Sequence, residues 1–126
     1  MELYDIFKGI IEADIEPVVV CDTDNTIIYM NSTAIKRYEK RGGKALVGRS
    51  IMDCHNDESK KKIETVLEWF KQSEDNNRMF TYHSDRNGSD YDVYMIAIRD
   101  DSGKLLGYYE KHENRLHEIK QAYDMR

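Results

Sequence analysis

Cys54 and His55 stand side by side just ahead of a long amphipathic segment, and a thiol next to an imidazole is the pairing in this chain with the most chemistry in it. Both groups ligate metals, and an imidazole can hold haem iron. Consecutive side chains on an extended chain point apart, so a haem site here would use His55 alone. His83 lies in a strand-like run and offers a second imidazole if its register turns it inward. His112 and His117 fall at a strand end and in a terminal segment, and both read as exposed. Asp22 and Asp24 could meet a hard cation, but their spacing is not that of a calcium loop, and short carboxylates in a tight turn bond the local backbone. There is no glycine-rich phosphate loop, no HExxH and no nucleophile elbow, so the expectation is a protein that is not an enzyme.

The chain has nine tyrosines, and Tyr82, Tyr91, Tyr94, Tyr108 and Tyr109 concentrate in the last three strand-like runs. Alternation puts Tyr91, Val93, Met95 and Ala97 on one face and Tyr94, Ile96 and Ile98 on the other. Both faces carry apolar groups. One must meet helices, and the other a terminal helix or a second subunit. A ligand-sized cavity behind the first face would be lined by Met30, Tyr38, His55, Trp69, Tyr82 and Met95; the alternative is a filled aromatic core.

The elements that must position these residues follow from pattern. Leu3, Ile6, Phe7, Ile10 and Ile11 recur at helical spacing, so residues 1–14 are expected to form an amphipathic helix that ends before Pro17. Val18 to Val20 and Ile27 to Tyr29 flank a turn rich in Asp and Asn, which predicts a hairpin. Asn31 or Ser32 then caps a short helix carrying Ala34, Ile35 and Tyr38. Asn56 or Asp57 starts a longer helix whose Ile63, Val66, Leu67 and Phe70 share one face. Strands are expected at Arg78 to Ser84, Tyr91 to Arg99 and Leu105 to Lys111. Residues 114–126, with Leu116, Ile119 and Tyr123, read as a C-terminal helix.

At 126 residues with a formal charge of −5, one core of 15–113 is expected between the terminal helices. Acidic residues flank Lys60, Lys61 and Lys62, which read as a solvated helix face, so no nucleic-acid partner is expected. No window reaches the roughly 20 apolar residues of a membrane span. Neither signal peptide nor disulfide framework is apparent, and a cytoplasmic protein is expected.

Two strands, helices and then three strands predict an α+β domain, a five-stranded antiparallel sheet with helices on one face and flanking terminal helices. The order of the Asp22-Thr23-Asp24-Asn25 hairpin with Asn31, the Leu46-Val47-Gly48-Arg49 turn and the hairpin from Arg99 to Gly107 resembles a PAS sensor domain over about residues 15–113. The resemblance implies that Asn31 begins the first core helix, that Leu46-Val47-Gly48 precedes the long helix, and that the final hairpin leads into a signalling helix. Asp53-Cys54-His55-Asn56 also resembles a Cys-His-Pro-type segment found before this helix in some bacterial and archaeal PAS domains, with Asn56 in place of proline. The Asn-Cys-Arg-Phe-Leu run of flavin photosensors is absent.

These expectations combine into a cytoplasmic domain that binds a small molecule in its core and passes a conformational change through terminal helices. A homodimer is expected through Leu3, Ile6, Phe7 and Ile10. The rival readings are a dimerisation module with a filled core and a haem-based sensor using His55 or His83.

Overall fold

The computed structural model describes residues 2–126. Its elements are helix α1 (Leu3–Glu12), the hairpin β1 (Val19–Asp22) and β2 (Ile27–Met30), helix α2 (Ser32–Arg37), a run of short 3-10 turns, helix α3 (Asp57–Gln72), and strands β3 (Arg78–Ser84), β4 (Tyr91–Arg99) and β5 (Leu105–Asn114). The strands form one antiparallel sheet in the order β2-β1-β5-β4-β3, so the first and last strands in sequence meet at its centre.

Local chemistry sets each boundary. In the first hairpin the Asp22 carboxylate accepts from the backbone N–H groups of Asp24 at 2.9 Å and Thr26 at 3.0 Å, while Asn25 takes the left-handed φ of 65° that asparagine tolerates. The carboxylate is thus turn structure. Asn31 caps α2 by accepting from the Ala34 N–H at 2.9 Å, and Asn56 caps α3 through the Ser59 N–H at 2.9 Å. At the other end of α3, Arg99 closes the helix by donating to the carbonyls of Phe70 at 2.6 Å and Ser73 at 3.0 Å. Gly48, at φ 93°, lets the Leu46-to-Arg49 turn fold back on β2, where the Ile27 carbonyl accepts from Gly48 at 2.7 Å and the Arg49 carbonyl accepts from Ile27 at 2.9 Å.

The core lies between α3, α2 and the inner face of the sheet. Val66, Leu67 and Phe70 supply it from α3, Ala34 from α2, and Val19, Cys21, Met30, Met95 and Tyr108 from the strands. Lys60 and Lys62 instead face solvent, paired with Asp57 at 4.0 Å and Glu58 at 3.6 Å. No helix among the described residues is long and apolar enough to cross a membrane.

Two expectations about the C-terminal region are corrected. The helix expected over 114–126 does not form: β5 extends to Asn114, and residues 115–126 run through bends and turns. Ile119 and Tyr123 are 97% and 93% exposed, so the chain offers their stripe nothing to pack against, and an isolated helix of this length is marginal in water. The same longer strand carries His112 into the sheet opposite Val93. It is buried rather than exposed.

Candidate functional site

Between the helices and the inner face of the sheet lie two adjoining clefts. One, of about 270 Å³, is lined among others by Met30, Tyr38, Arg41, Leu46, Cys54 and His55. The other, of about 230 Å³, is lined by Ser59, Lys62, Ile63, Val66 and Met95. Val19, Ile51, His55, Tyr82 and Glu110 line both. Met30, Tyr38, His55, Tyr82 and Met95 are thus brought around the paired clefts, with His55 and Tyr82 shared by both.

Trp69 does not join them. It faces an outer cleft with Lys61, Glu64, Thr65, Glu68 and Gln72. The phase of α3 explains this: Val66, Leu67 and Phe70 take the sheet-facing side, which leaves Trp69 at its margin, half-buried and tilted against Phe70 at 5.7 Å.

A β-bulge decides which residues of β3 reach the site. Met79 pairs with Met95 and Phe80 with Tyr94, but Tyr82 pairs with Val93, leaving Thr81 as the extra residue. The slip turns Tyr82 inward and His83 outward. His83 then sits on the surface with Nδ1 2.8 Å from Asp92 and Nε2 3.3 Å from Asp90, and the Asp92 hydrogen bond raises its pKa first, with the neighbouring carboxylates adding to it. It cannot reach a ligand in the core.

His55 follows the 3-10 turn Ile51–Cys54, so its neighbour Cys54 is not held on an extended chain, and both line the larger cleft. Burial lowers the His55 pKa, and Arg41 lowers it further. A neutral imidazole can ligate iron, but a porphyrin needs one continuous slot. Here the space is two adjoining lobes of about 270 and 230 Å³ that share an acidic residue, Glu110, in their lining, neither of them large enough alone for a porphyrin, and the residues present do not fit haem.

The residue that sequence reasoning missed is Glu110. It stands at the middle of β5, opposite Met95 on one side and Val19 on the other. Its side chain is 30% exposed, and that exposure opens into the clefts. Burial pushes its carboxyl above the ordinary value, with Arg37 pulling the other way. Burial likewise raises the Tyr38 and Tyr82 phenols, and the charge of Glu110 adds to both. The signal was available in the alternation Tyr108, Glu110, His112, which puts a carboxyl between two inward positions.

His112 adds a pH dependence. Burial holds its imidazole down at about 4, with Arg37 lowering it further, and among the described residues Nδ1 has no hydrogen-bond partner. Because the folded pKa lies below the unfolded value of about 6.5, its contribution is present above pH 6.5 and is lost as pH falls toward 4; roughly 3 kcal/mol is expected. Glu110 acts in the opposite sense, since its raised pKa favours folding at low pH and is lost as pH rises. Urea unfolding between pH 7 and pH 4 should therefore be measured in Glu110→Gln, where adding His112→Gln is expected to flatten the acid slope. Equal slopes would contradict the assignment.

The sequence pattern of the PAS domain matches residues 15–110. The chain belongs to the PAS domain family. This PAS domain is similar in structure to the C-terminal domain of a Streptococcus mutans protein, with 21% identity, a TM-score of 0.68, and 88% of this chain and 84% of that one covered. It is also similar to the PAS domain of a Colwellia psychrerythraea protein, at 13% identity and a TM-score of 0.63 over 90% and 97% of the two chains. The Aer2 receptor of Vibrio cholerae, described as a dual PAS-haem oxygen sensor, matches at 17% identity and a TM-score of 0.51 over 79% and 94%. No curated protein matches this chain.

Proposed function

We propose that this PAS domain is a non-catalytic sensory domain of the cytoplasm, which binds a small molecule in the double cleft and passes the resulting change in packing to its terminal segments. The observation that carries the reading is the position of β5. Its inner face presents Glu110 to both clefts, while the next residue, Lys111, projects to the other face and pairs with Asp14 beyond α1 at 2.8 Å. A ligand that shifts Glu110 shifts the strand, and hence the contact with the N-terminal helix. The Vibrio receptor, a sensor by its description, is consistent with a sensory use of this fold. The free thiols Cys21 and Cys54 suit a reducing compartment.

Helix α1 supports a dimer as the output. Leu3, Phe7 and Ile10 are 63%, 55% and 63% exposed, an apolar stripe that a second copy would cover in a two-fold pairing. Native mass spectrometry is expected to find a dimer that retains a small molecule, and Phe7→Glu is expected to shift sedimentation to monomer. A dimer that never carries a bound molecule would favour the rival, an interaction module. A monomer at micromolar concentration, unchanged by Phe7→Glu, would remove the dimer altogether.

A further inference from the structure

We propose that the double cleft receives the protonated amine of a small, otherwise largely apolar molecule, with Glu110 as its counter-ion and Tyr38 and Tyr82 as its aromatic flank. The inference rests on the reading of the cleft as a ligand site and names the chemistry that site selects.

Glu110 is an acceptor without a donor. Its register neighbours Val19 and Met95 are apolar, and among the described residues no lysine or arginine nitrogen comes within ion-pairing distance of it. The nearest charged-type contact is His112 Nε2 at 3.7 Å, too long for a hydrogen bond, and burial keeps that imidazole neutral. A half-buried carboxyl whose exposed part faces the clefts, with no protein donor among the described residues, is incompletely solvated, and a bound cation would offset part of that cost.

The rest of the lining narrows the class. Val19, Met30, Ile51, Val66 and Met95 suit an apolar body, and lobes of about 270 and 230 Å³ hold a ring with a short chain rather than a large cofactor. Tyr38 and Tyr82 line the same lobe as Glu110, so aromatic rings border the place an ammonium would take, where a ring can attract it. Arg41 lines one lobe and Lys62 the other, and both are exposed at the margin. Two basic margins disfavour a polyamine. A single amine carried inward on an apolar skeleton meets Glu110, the acidic residue among the described lining.

The test uses the whole chain and three probes that differ at one end: phenethylamine, phenethyl alcohol and hydrocinnamate. Calorimetry at neutral pH is expected to show binding of the amine alone, and Glu110→Gln is expected to weaken it about 10- to 100-fold, the worth of a charge-assisted hydrogen bond. Lys61→Ala, on the solvent side of α3 and outside both clefts, is expected to bind the amine with parental affinity. If the alcohol or the carboxylate binds as tightly as the amine, the site takes ligands but the class is wrong. Unchanged amine affinity in Glu110→Gln overturns Glu110 as counter-ion. If none of the three binds at millimolar concentration, the amine proposal falls; if native mass spectra also show no bound molecule, the ligand reading falls with it.

Discussion

Asn31→Ala is expected to destabilise the domain by roughly 3–5 kcal/mol, the sum of a lost helix cap and buried backbone groups left without partners. The side chain is fully buried and joins three segments. Its Oδ1 accepts from the Val18 N–H at 2.9 Å, before β1, and from the Ala34 N–H at 2.9 Å, in the first turn of α2. Its Nδ2 donates to the carbonyls of Glu16 at 3.0 Å and Ile11 at 3.2 Å, which tie down the end of α1 and the link after it. Alanine would orphan both N–H groups in a place water cannot reach. Ser32, next in sequence, donates its hydroxyl at the surface to the Glu12 carboxylate, at 2.7 Å, so Ser32→Ala is expected to cost under about 1 kcal/mol. Urea unfolding of the two variants separates the roles, and equal midpoints would mean that Asn31 is an ordinary cap.

Asn31 also shows where the sequence was legible and where it stopped. The capping role could be read from its place between Met30 and a helical pattern, because capping is local chemistry. Its hold on Ile11 and Glu16 could not, since that depends on how the chain enters the sheet. The same division runs through the site. Alternation along β4 grouped Tyr91, Val93, Met95 and Ala97 on one face without saying which face meets the helices, and the structure packs Met95 and Ala97 of that set into the core; the apolar face of α3 followed from helical spacing. The inward turn of Tyr82 needed the Thr81 bulge, which shifts parity by one residue without a mark in composition. Glu110 escaped notice because aromatic residues around it suggested the lining, and a lone carboxyl in a strand is ordinarily solvated. The C-terminal helix failed for the opposite reason: its periodicity was present, but among the described residues its Ile119 and Tyr123 stay exposed.

Phe70→Ala is expected to cost about 3–5 kcal/mol, the usual loss for a buried aromatic truncated to a methyl group. Phe70 is fully buried, and its ring lies at the end of the α3 face that includes Val66 and Leu67. The neighbourhood cannot easily collapse into the gap. The Phe70 carbonyl is fixed by Arg99 at 2.6 Å, and the same guanidinium is held by the carbonyls of Ser73 at 3.0 Å and Gly103 at 3.1 Å, so the helix end is pinned to the β4–β5 hairpin. A cavity left there should persist, and cavity volume adds to the lost transfer energy. Lys61 lies on the solvent side of the same helix, and Lys61→Ala is expected to fall within about 0.5 kcal/mol of the parent. Because Phe70 lines neither cleft, its variant should lose stability while the folded fraction still binds phenethylamine with parental affinity. A Phe70→Ala protein as stable as Lys61→Ala would mean that α3 does not pack on the sheet in this phase, and the lining assigned to Ile63 and Val66 would have to be redrawn with it.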